Sequence, residues 1–365
     1  MRKILIINTG GLAVGGITTH IETYMSALLE QSSNYQVTMV ATIFQDPSVI
    51  KKFEDIGCIV VRLSDRQKNL RMYVRELWHL MKTTKFDVIH VHGSSSILCI
   101  ELLLAKMAGI KIRIAHSHNT MTEHTLANKL LFVPFKLSYN RALACSQLAG
   151  QWLFRNNRFI VLHNVFDYSN FIFDSAIRSE MRKTLSINDA TLVIGSVGYI
   201  GGVKNQKYIL SLLPEIVKKR NLKYILVGDS PERKKYEVWV REHNLSDYVI
   251  FTGLRNDVGK LLQAIDIFVM PSIHEGLPIA LLEAEATGLK CLVSSNVTKE
   301  AQLYTDAKFI SLDKTEEWSK QITNYFPTDE ARNQNSIKAQ KILSRDYNLT
   351  KELSKLRKIY DGGVL

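Results

Sequence analysis

Short apolar runs bounded by turn residues alternate with longer amphipathic stretches along the whole chain. In the first half the runs predict five strands, at residues 3–8, 37–43, 59–63, 87–92 and 112–115. The stretches between them carry apolar residues at helical spacing. Strands that alternate with helices form parallel sheets with both faces covered. The pattern therefore predicts an α/β fold.

The pattern starts again after residue 167 and predicts a second set of strands, at residues 192–197, 224–227, 249–251, 267–270 and 291–293. A chain of 365 residues is too long for one ordinary core. We therefore expect two doubly wound parallel-sheet domains that face each other across a cleft. The predicted N-terminal domain is 1–168 and the predicted C-terminal domain is 169–345. Ligands of such sheets bind at the carboxyl ends of the strands.

Composition is that of a globular protein, with 46% hydrophobic and 22% charged residues. No apolar run reaches 18 residues, so we expect no transmembrane helix. The four cysteines have neither paired nor metal-binding spacing, which makes the cytoplasm the default compartment. The net charge is +12, and residues 1–168 hold 19 Lys+Arg against 11 Asp+Glu. This excess predicts an acidic partner: anionic lipid, a phosphorylated acceptor or nucleic acid. The absence of an aromatic–basic or zinc-binding recognition module argues against nucleic acid.

Two carboxylates, Glu275 and Glu283, flank a Gly-Leu-Pro turn and the apolar start of a predicted helix. Glu275 then lies in the loop before the helix and Glu283 lies within it. A helix start favours an anion such as a diphosphate, and carboxylates accept hydrogen bonds from hydroxyls. The pair therefore suits a nucleotide sugar. The alternatives are that Glu275 caps the helix and that Glu283 is solvated. A hydrolase pair is disfavoured because its carboxylates must face each other across one bond.

Two glycine-rich turns each follow a predicted strand. Gly15 and Gly16 would let the backbone approach a phosphate or sugar closely. Their spacing is not G-x-G-x-x-G, and the second strand ends without an acidic residue, which argues against a nicotinamide enzyme. In the second turn, Asn205 is a candidate helix cap, and Lys204 could neutralise a diphosphate leaving group. A plain tight turn and a solvated lysine are the alternatives.

Two histidine pairs lie at predicted strand ends: His90 with His92, and His116 with His118. Each pair shares a face because side chains alternate along a strand. A zinc site is conceivable, but carboxylate or thiolate ligands are not arranged near them at zinc-binding spacing, so we predict no metal site. Structural roles remain the alternative, and the position of both pairs at cleft-facing ends favours a functional one.

These segments, in this order, resemble retaining glycosyltransferases of family 4, which have the two-domain GT-B fold. The likeness runs over nearly the whole chain and is most specific in the C-terminal half. It is most similar to members that build bacterial capsular, exopolysaccharide or cell-wall glycans. The matching pieces are Gly15-Gly16-x3-His20, Ala-His-Ser-His118, Gly-x5-Lys204-Asn205, Phe251-Thr-Gly-Leu-Arg255 and Pro271-Ser-x2-Glu275-Gly-Leu-Pro-x4-Glu283.

The resemblance implies a role for each matching position. Glu275 would bind hydroxyls of the donor sugar, Glu283 the ribose, and Lys204 the diphosphate. His118 would lie beside the donor sugar at the reaction centre, with His116 as its rival. Backbone amides and carbonyls would complete the donor site, at Gly15, Gly16, Gly276 and Leu277 for the phosphates and at Leu254 and Arg255 for the base.

The implied activity is metal-independent transfer of a hexosyl group, with retention, from a nucleotide sugar, expected to be a UDP-sugar. The chain has no clear Asp-x-Asp motif, and no cofactor beyond the donor substrate is expected. One departure from the family pattern is Tyr199, which follows Gly198 where members often have an arginine. Two alternatives therefore stay open: a non-catalytic GT-B partner subunit of a transferase, and a nucleotide-sugar epimerase.

The N-terminal domain is expected to take a glycan or lipid-linked glycan acceptor. Residues 66–82 carry a stripe of Leu70, Tyr73, Leu77 and Met81 among basic residues, and residues 129–136 are apolar with basic flanks. Both segments could bind an anionic inner membrane face, which would make the protein peripheral there. The alternative is an ordinary core stripe. The resemblance also implies that a C-terminal helix within 346–365 returns to the first domain.

Overall fold

The computed structural model describes residues 1–43, 45–122, 124–303 and 307–363. It divides the chain into two compact units, Asp167–Asp346 and Met1–Phe166, the latter together with the C-terminal segment from Tyr347. The chain thus leaves the first unit two residues before the boundary expected from the sequence. Each unit is built on one parallel sheet with helices between its strands. The α/β class and the two parallel-sheet domains are therefore confirmed.

The first unit contains a seven-stranded sheet of order β3-β2-β1-β4-β5-β6-β7, with every neighbouring pair parallel. Its strands are β1 (Arg2–Asn8), β2 (Tyr35–Ala41), β3 (Ile59–Arg62), β4 (Val88–Gly93), β5 (Ile112–Ser117), β6 (Arg141–Ala144) and β7 (Ile160–Val161). The helices that connect them are α1 (Gly16–Glu30), α2 (Pro47–Asp55), α3 (Leu70–Thr84), α4 (Cys99–Met107), α5 (Thr125–Leu130), α6 (Phe132–Ser138) and α7 (Gln147–Phe154).

The second unit contains a six-stranded parallel sheet of order β10-β9-β8-β11-β12-β13. Its strands are β8 (Leu192–Val197), β9 (Leu222–Val227), β10 (Val249–Gly253), β11 (Ile267–Met270), β12 (Lys290–Ser294) and β13 (Lys308–Ile310). Its helices are α8 (Ser175–Thr184), α9 (Gln206–Ile216), α10 (Arg233–Glu242), α11 (Val258–Ala264), α12 (Ile279–Ala286), α13 (Thr315–Thr323) and α14 (Asp329–Asp346). Short 3₁₀ turns lie at Ser96–Leu98, Tyr168–Phe171, Gly202–Lys204 and Lys299–Ala301.

The central strands are buried on both faces, which explains why they are continuous apolar runs rather than alternating ones. In β1, the side chains of Ile4, Leu5, Ile6 and Ile7 are all fully buried. In β4 even the two histidines, His90 and His92, are buried. Helices cover both faces of the sheet, so a polar side chain on these strands must find its partner inside the protein.

The C-terminal helix α15 (Leu349–Tyr360) begins three residues later than the 346 start expected from the sequence. Asn348 caps it by accepting a hydrogen bond from the amide of Lys351, and α14 ends at Asp346. The helix packs against α1, and its Leu353, Leu356 and Ile359 are buried. It therefore contributes to the core of the first unit.

The apolar stripe on α3 belongs to the core. Tyr73, Leu77 and Met81 are buried, while Leu70 at the start of the helix remains exposed. Three of the four side chains of this stripe are therefore packed inside the protein and cannot insert into a membrane, as the alternative of a core stripe requires. Among the residues that the structure describes, no helix has the length and hydropathy needed to cross a bilayer.

Candidate functional site

The loop that follows β8 in the second unit carries the predicted phosphate-binding lysine. Gly198 has a φ of +135°, in the region that favours glycine. A Cβ on Gly198 would lie 3.3 Å from Cε of Lys204, so the lysine side chain passes directly over this residue. Glycine at 198 therefore serves both the turn and the path of the lysine.

Two predicted site residues meet here: Nζ of Lys204 lies 2.7 Å from Oε1 of Glu275. Both side chains are largely buried, with 22% and 14% of their surface exposed. The two loops are also tied by their backbones, since the amide of Ile273 donates to the carbonyl of Val203. A cation that could bind phosphate and a carboxylate that could accept from hydroxyls are thus in direct contact.

Asn205 does not cap α9 with its side chain, contrary to the sequence expectation. It is the N-cap residue but has a φ of +54°, and its side-chain amide donates instead to the carbonyl of Pro271. The capping hypothesis is therefore wrong, because the amide is used to join the two loops of the site.

Two further residues hold the glycine-rich loop, and the sequence analysis did not find them. Gln206 accepts from the amide of Gly201 and donates to the carbonyl of Tyr199. Glu232 accepts from the amide of Gly202. No motif marks Glu232, which follows the next strand. The Tyr199 side chain is 53% exposed, so it lies on the surface of the loop.

Glu283 is the fifth residue of α12, about 6 Å from the helix start at a rise of 1.5 Å per residue. Burial raises the pKa of its carboxyl to about 7. Glu275 lies in the preceding loop, and no side chain of the described chain caps this helix. The alternative of a Glu275 cap is therefore wrong, and Glu283 is half-buried rather than fully solvated. The first backbone amides of α12 and the Glu283 carboxyl, with its raised pKa, therefore lie on one short segment.

The segment expected to frame the base follows β10. The Leu254 side chain is exposed, and the guanidinium of Arg255 is held by Asp257 at 2.6 Å. The Arg255 side chain is therefore engaged within its own loop. A backbone role for the two residues stays a prediction.

In the first unit, Gly15 is the N-cap of α1 and has an extended backbone with φ 172°. A Cβ added at Gly15 or Gly16 would meet no atom of the described chain within 4 Å. The first turn of α1 contains no acidic residue, and no described side chain caps it. The fold itself thus has no steric need for glycine at either position.

His90 and His92 lie on β4, His116 lies on the neighbouring β5, and His118 follows it directly; the two pairs contact each other across the strands. Nδ1 of His92 lies 2.8 Å from Nε2 of His118, and Nε2 of His90 lies 3.1 Å from Nδ1 of His116. His20 of α1 joins them, with its ring centroid 5.1 Å from those of His116 and His118. The sequence placed the four strand histidines but did not predict the cross-strand pairing or that His20 lies among them.

Burial controls the charge of this cluster. Desolvation lowers the pKa of His20 and of His90 to about 3, and those of His92, His116 and His118 well below the usual value. The rings are therefore neutral at neutral pH and cannot supply positive charge to a phosphate. Of the two rivals, His116 is fully buried and His118 keeps a small exposed surface.

The fold is that of the GT-B glycosyltransferases. A crystal structure of HepE from Anabaena in complex with UDP-glucose superposes with a TM-score of 0.82 over 99% of this chain and 100% of that one, at 17% identity. The lipopolysaccharide-biosynthesis glycosyltransferase WaaG gives a TM-score of 0.71 over 100% of both chains, at 16% identity. Both similarities define the fold.

Family profiles place the chain more narrowly. The profile described as Glycosyltransferase Family 4 matches residues 14–169, and the one described as Glycosyl transferases group 1 matches residues 177–342. The chain belongs to glycosyltransferase family 4.

Two curated relatives show how far the similarity extends. The putative glycosyltransferase EpsF of Bacillus subtilis (strain 168) is 32% identical over 248 residues, which is 64% of each chain. An Escherichia coli protein named UDP-Gal:alpha-D-GlcNAc-diphosphoundecaprenol alpha-1,3-galactosyltransferase is 27% identical over 277 residues, 70% of this chain and 68% of that one. The match to EpsF thus falls just short of two thirds of that protein's length.

Proposed function

We propose that this protein is a retaining glycosyltransferase that moves a hexosyl group from a UDP-sugar to a growing, lipid-linked glycan. Its product would enter a bacterial cell-surface polysaccharide such as a capsule or exopolysaccharide. The E. coli relative is named for a UDP-Gal donor and a diphosphoundecaprenol-linked acceptor, which supports both substrate classes. The observation that carries the proposal is the 2.7 Å contact between Lys204 and Glu275.

That contact joins groups suited to the two halves of a sugar diphosphate. In the proposed reaction the bond between the sugar and the phosphate breaks heterolytically, leaving an oxocarbenium-like sugar and a charged diphosphate. Lys204 and the amides at the start of α12 would stabilise the leaving charge, and removing one such donor typically costs about 3–4 kcal/mol. The acceptor hydroxyl would attack the sugar on the face that the diphosphate leaves, and a diphosphate oxygen would take the hydroxyl proton. Attack on that face retains the anomeric configuration.

We propose that the remaining site residues contact other parts of the UDP-sugar. Glu283 would accept hydrogen bonds from the ribose, and the backbone at Leu254 and Arg255 would contact the base. Gly276 and Leu277 would approach the phosphates. In the first unit, the Gly15 and Gly16 amides would bind a phosphate and His118 would contact the donor sugar. No cofactor is proposed, and the lysine and helix ends would serve the diphosphate in place of a metal ion.

Transfer assays with the full chain test the proposal. UDP-hexoses would be offered with a synthetic lipid-diphosphate-linked sugar, and the product anomer would be read by NMR. We expect one donor to be transferred with retention, and Lys204→Met to lose about 100-fold or more in kcat/KM. Lys207→Met, an exposed lysine three residues away, is the matched control and should keep full activity. An inverted product would refute retention, and equal rates for the two variants would refute the role of Lys204.

A non-catalytic partner subunit is the second candidate, and exposed Tyr199 in place of an arginine favours it. A partner subunit would bind the donor but transfer nothing by itself. In an active transferase, Tyr199→Arg should raise turnover by adding positive charge near the diphosphate. An epimerase would instead convert the donor in the same assay with the acceptor left out.

The surface formed by α5 and α6 is the better candidate for membrane binding. Leu126, Leu130, Val133 and Leu137 are each 61–70% exposed, whereas Phe135 between them is fully buried and anchors α6. Lys129 and Lys136 are also exposed, and residues 124–140 contain no Asp or Glu. We propose that this surface binds anionic lipid at the inner membrane face, where a lipid-linked acceptor is available.

Vesicle flotation tests the membrane proposal. We expect binding to vesicles that contain anionic lipid, loss of binding in high salt, and a reduction of about 10-fold in Leu130→Ser because one exposed leucine no longer inserts. Met72→Ser, at an exposed apolar residue on α3, is the matched control and should bind normally. Equal binding by Leu130→Ser and wild type would contradict the assignment of this surface.

A further inference from the structure

The histidine cluster has a geometry that the proposed transferase does not need. One ring nitrogen from each of His20, His92, His116 and His118 lies within 4.8 Å of those from the other three. The four side chains come from α1, β4 and the end of β5, so separate elements converge on one point. Only His118 has a role in the proposed reaction.

Buried ring nitrogens of these histidines lack a hydrogen-bond partner within the described part of the chain. Nε2 of His92 and Nε2 of His116 are buried and lack a hydrogen-bond partner among the described residues. A buried polar atom without a partner typically costs about 1–3 kcal/mol. Such a cost at two neighbouring imidazoles indicates that the protein's own side chains do not complete this site.

A chain of hydrogen bonds runs from His116 of the cluster through His90 to Tyr360. Nδ1 of His116 contacts Nε2 of His90, and Nδ1 of His90 lies 2.8 Å from the hydroxyl of Tyr360. When His90 donates to Tyr360 and His116 donates to His90, Nε2 of His116 keeps its lone pair. Histidines that bind metals are held in this way, with the second ring nitrogen donating to an outer partner.

The surroundings of His20 also suit a cation. The buried carboxylate of Glu352 interacts electrostatically with His20. Neutral imidazoles are the form that binds metal, and a nearby carboxylate offsets part of the charge of an ion. The cluster contains neither a carboxylate nor a thiolate ligand, which disfavours Ca²⁺ and Mg²⁺ and favours a transition metal.

We propose that His20, His92, His116 and His118 bind one transition-metal ion, with Zn²⁺ the best fit, and that this ion stabilises the first unit. A tetrahedral Zn²⁺ with bonds of about 2.0–2.1 Å separates its ligand atoms by about 3.3 Å. Because the nitrogens lie within 4.8 Å of one another, each would move inward by at most about 1 Å. The ion would bridge α1 to β4 and β5. Because His118 is shared with the proposed transfer reaction, the tests measure metal binding rather than turnover.

Metal titration of the full chain, purified without a polyhistidine tag and stripped with chelator, tests the proposal. We expect about one Zn²⁺ or Co²⁺ per chain, a visible absorption typical of tetrahedral Co²⁺, and a higher melting temperature with Zn²⁺. The double variant His92→Phe with His116→Phe should lose all three signals. His79→Phe, at an exposed histidine of the same unit, is the matched control and should keep them.

Binding by the double variant equal to that of wild type would overturn the proposal. A wild type that binds no metal would also overturn it and would identify the cluster as a hydrogen-bonded network. If the double variant does not fold, X-ray absorption of the Zn²⁺-loaded wild type decides. We expect about four nitrogen ligands at about 2.0 Å with imidazole scattering, and fewer than three imidazoles would refute the site.

Discussion

Because Lys204 and Glu275 form an ion pair, a ligand that binds one of them changes the partners of the other. A donor phosphate that binds Lys204 competes with Glu275 for the same Nζ, at 2.7 Å in this structure. Glu275 would then be released to accept hydrogen bonds from sugar hydroxyls. A nucleotide without a sugar would leave that carboxylate without a full set of partners, which penalises its binding.

Glu283 should make donor binding depend on pH. Burial raises the pKa of its carboxyl to about 7, and the ionised form is the better acceptor for ribose hydroxyls. Only the ionised fraction then binds well, so UDP-sugar affinity should fall about 10-fold between pH 8 and pH 6. Calorimetric titration across this range measures it. In Glu283→Gln the affinity should be lower and independent of pH, and a wild type with flat affinity would contradict the prediction.

Gly15→Ser should separate stability from activity. Serine is a favourable N-cap, and a Cβ meets no described atom within 4 Å, so the melting temperature should be unchanged or slightly higher. Its hydroxyl would take up the first amides of α1, which are proposed for phosphate binding. We expect kcat/KM to fall about 10-fold, because the serine hydroxyl then occupies amides that would otherwise bind the phosphate. Unchanged activity would remove the phosphate role from these amides.

Among the elements, α15 has an importance that its terminal position does not suggest. Tyr360 reaches His90 in the central sheet, and Glu352 accepts from the backbone amide of His163. Its buried face packs against α1, which carries His20. The last helix of the chain therefore supports the histidine cluster of the first unit.

Leu353→Ala should measure how strongly α15 contributes. Leu353 is fully packed, at 1% exposed, and truncating such a leucine typically costs about 2–5 kcal/mol because a cavity remains. Urea unfolding followed by circular dichroism would give the value. Ser354→Ala, at the exposed next position of the same helix, should change stability by less than about 0.5 kcal/mol. Similar values for both variants would show that the helix is dispensable.

The whole molecule consists of two units with separate cores, and the chain passes between them at residues 166–167 and 346–347. Most of the proposed contacts for a nucleotide alone, Lys204 and Glu283 among them, lie in the second unit. A ligand that binds one unit stabilises that unit by mass action. The two units therefore need not respond equally to UDP.

Hydrogen exchange should locate the response to UDP. We expect added protection at residues 198–205 and 276–283, since loops with few buried contacts gain most when a ligand orders them. The amides of β10 provide an internal comparison within the same unit. Protection confined to the first unit would contradict the assignment of the nucleotide site.

Local sequence pattern identified most of the central strands because a buried parallel strand is a continuous apolar run. The predicted limits of β8 and β11 agree with the structure. The pattern did not predict β6 or β7, which have only four and two residues, or β13, which begins at the exposed Lys308. It extended the last helix too far because residues 346–348 continue its amphipathic pattern, whereas the Asn348 cap fixes the start.

The amino-acid sequence by itself determined the α/β class, the two domains, the loop position of Glu275 and the order of motifs that marks the family. These depend on neighbours along the chain, through side-chain periodicity and turn chemistry. Only the tertiary structure decided that Lys204 contacts Glu275, that α3 is packed while α5 and α6 are exposed, and that His20 joins the strand histidines. Such contacts join residues far apart in sequence, and their distances depend on strand order and helix packing, which no local pattern encodes.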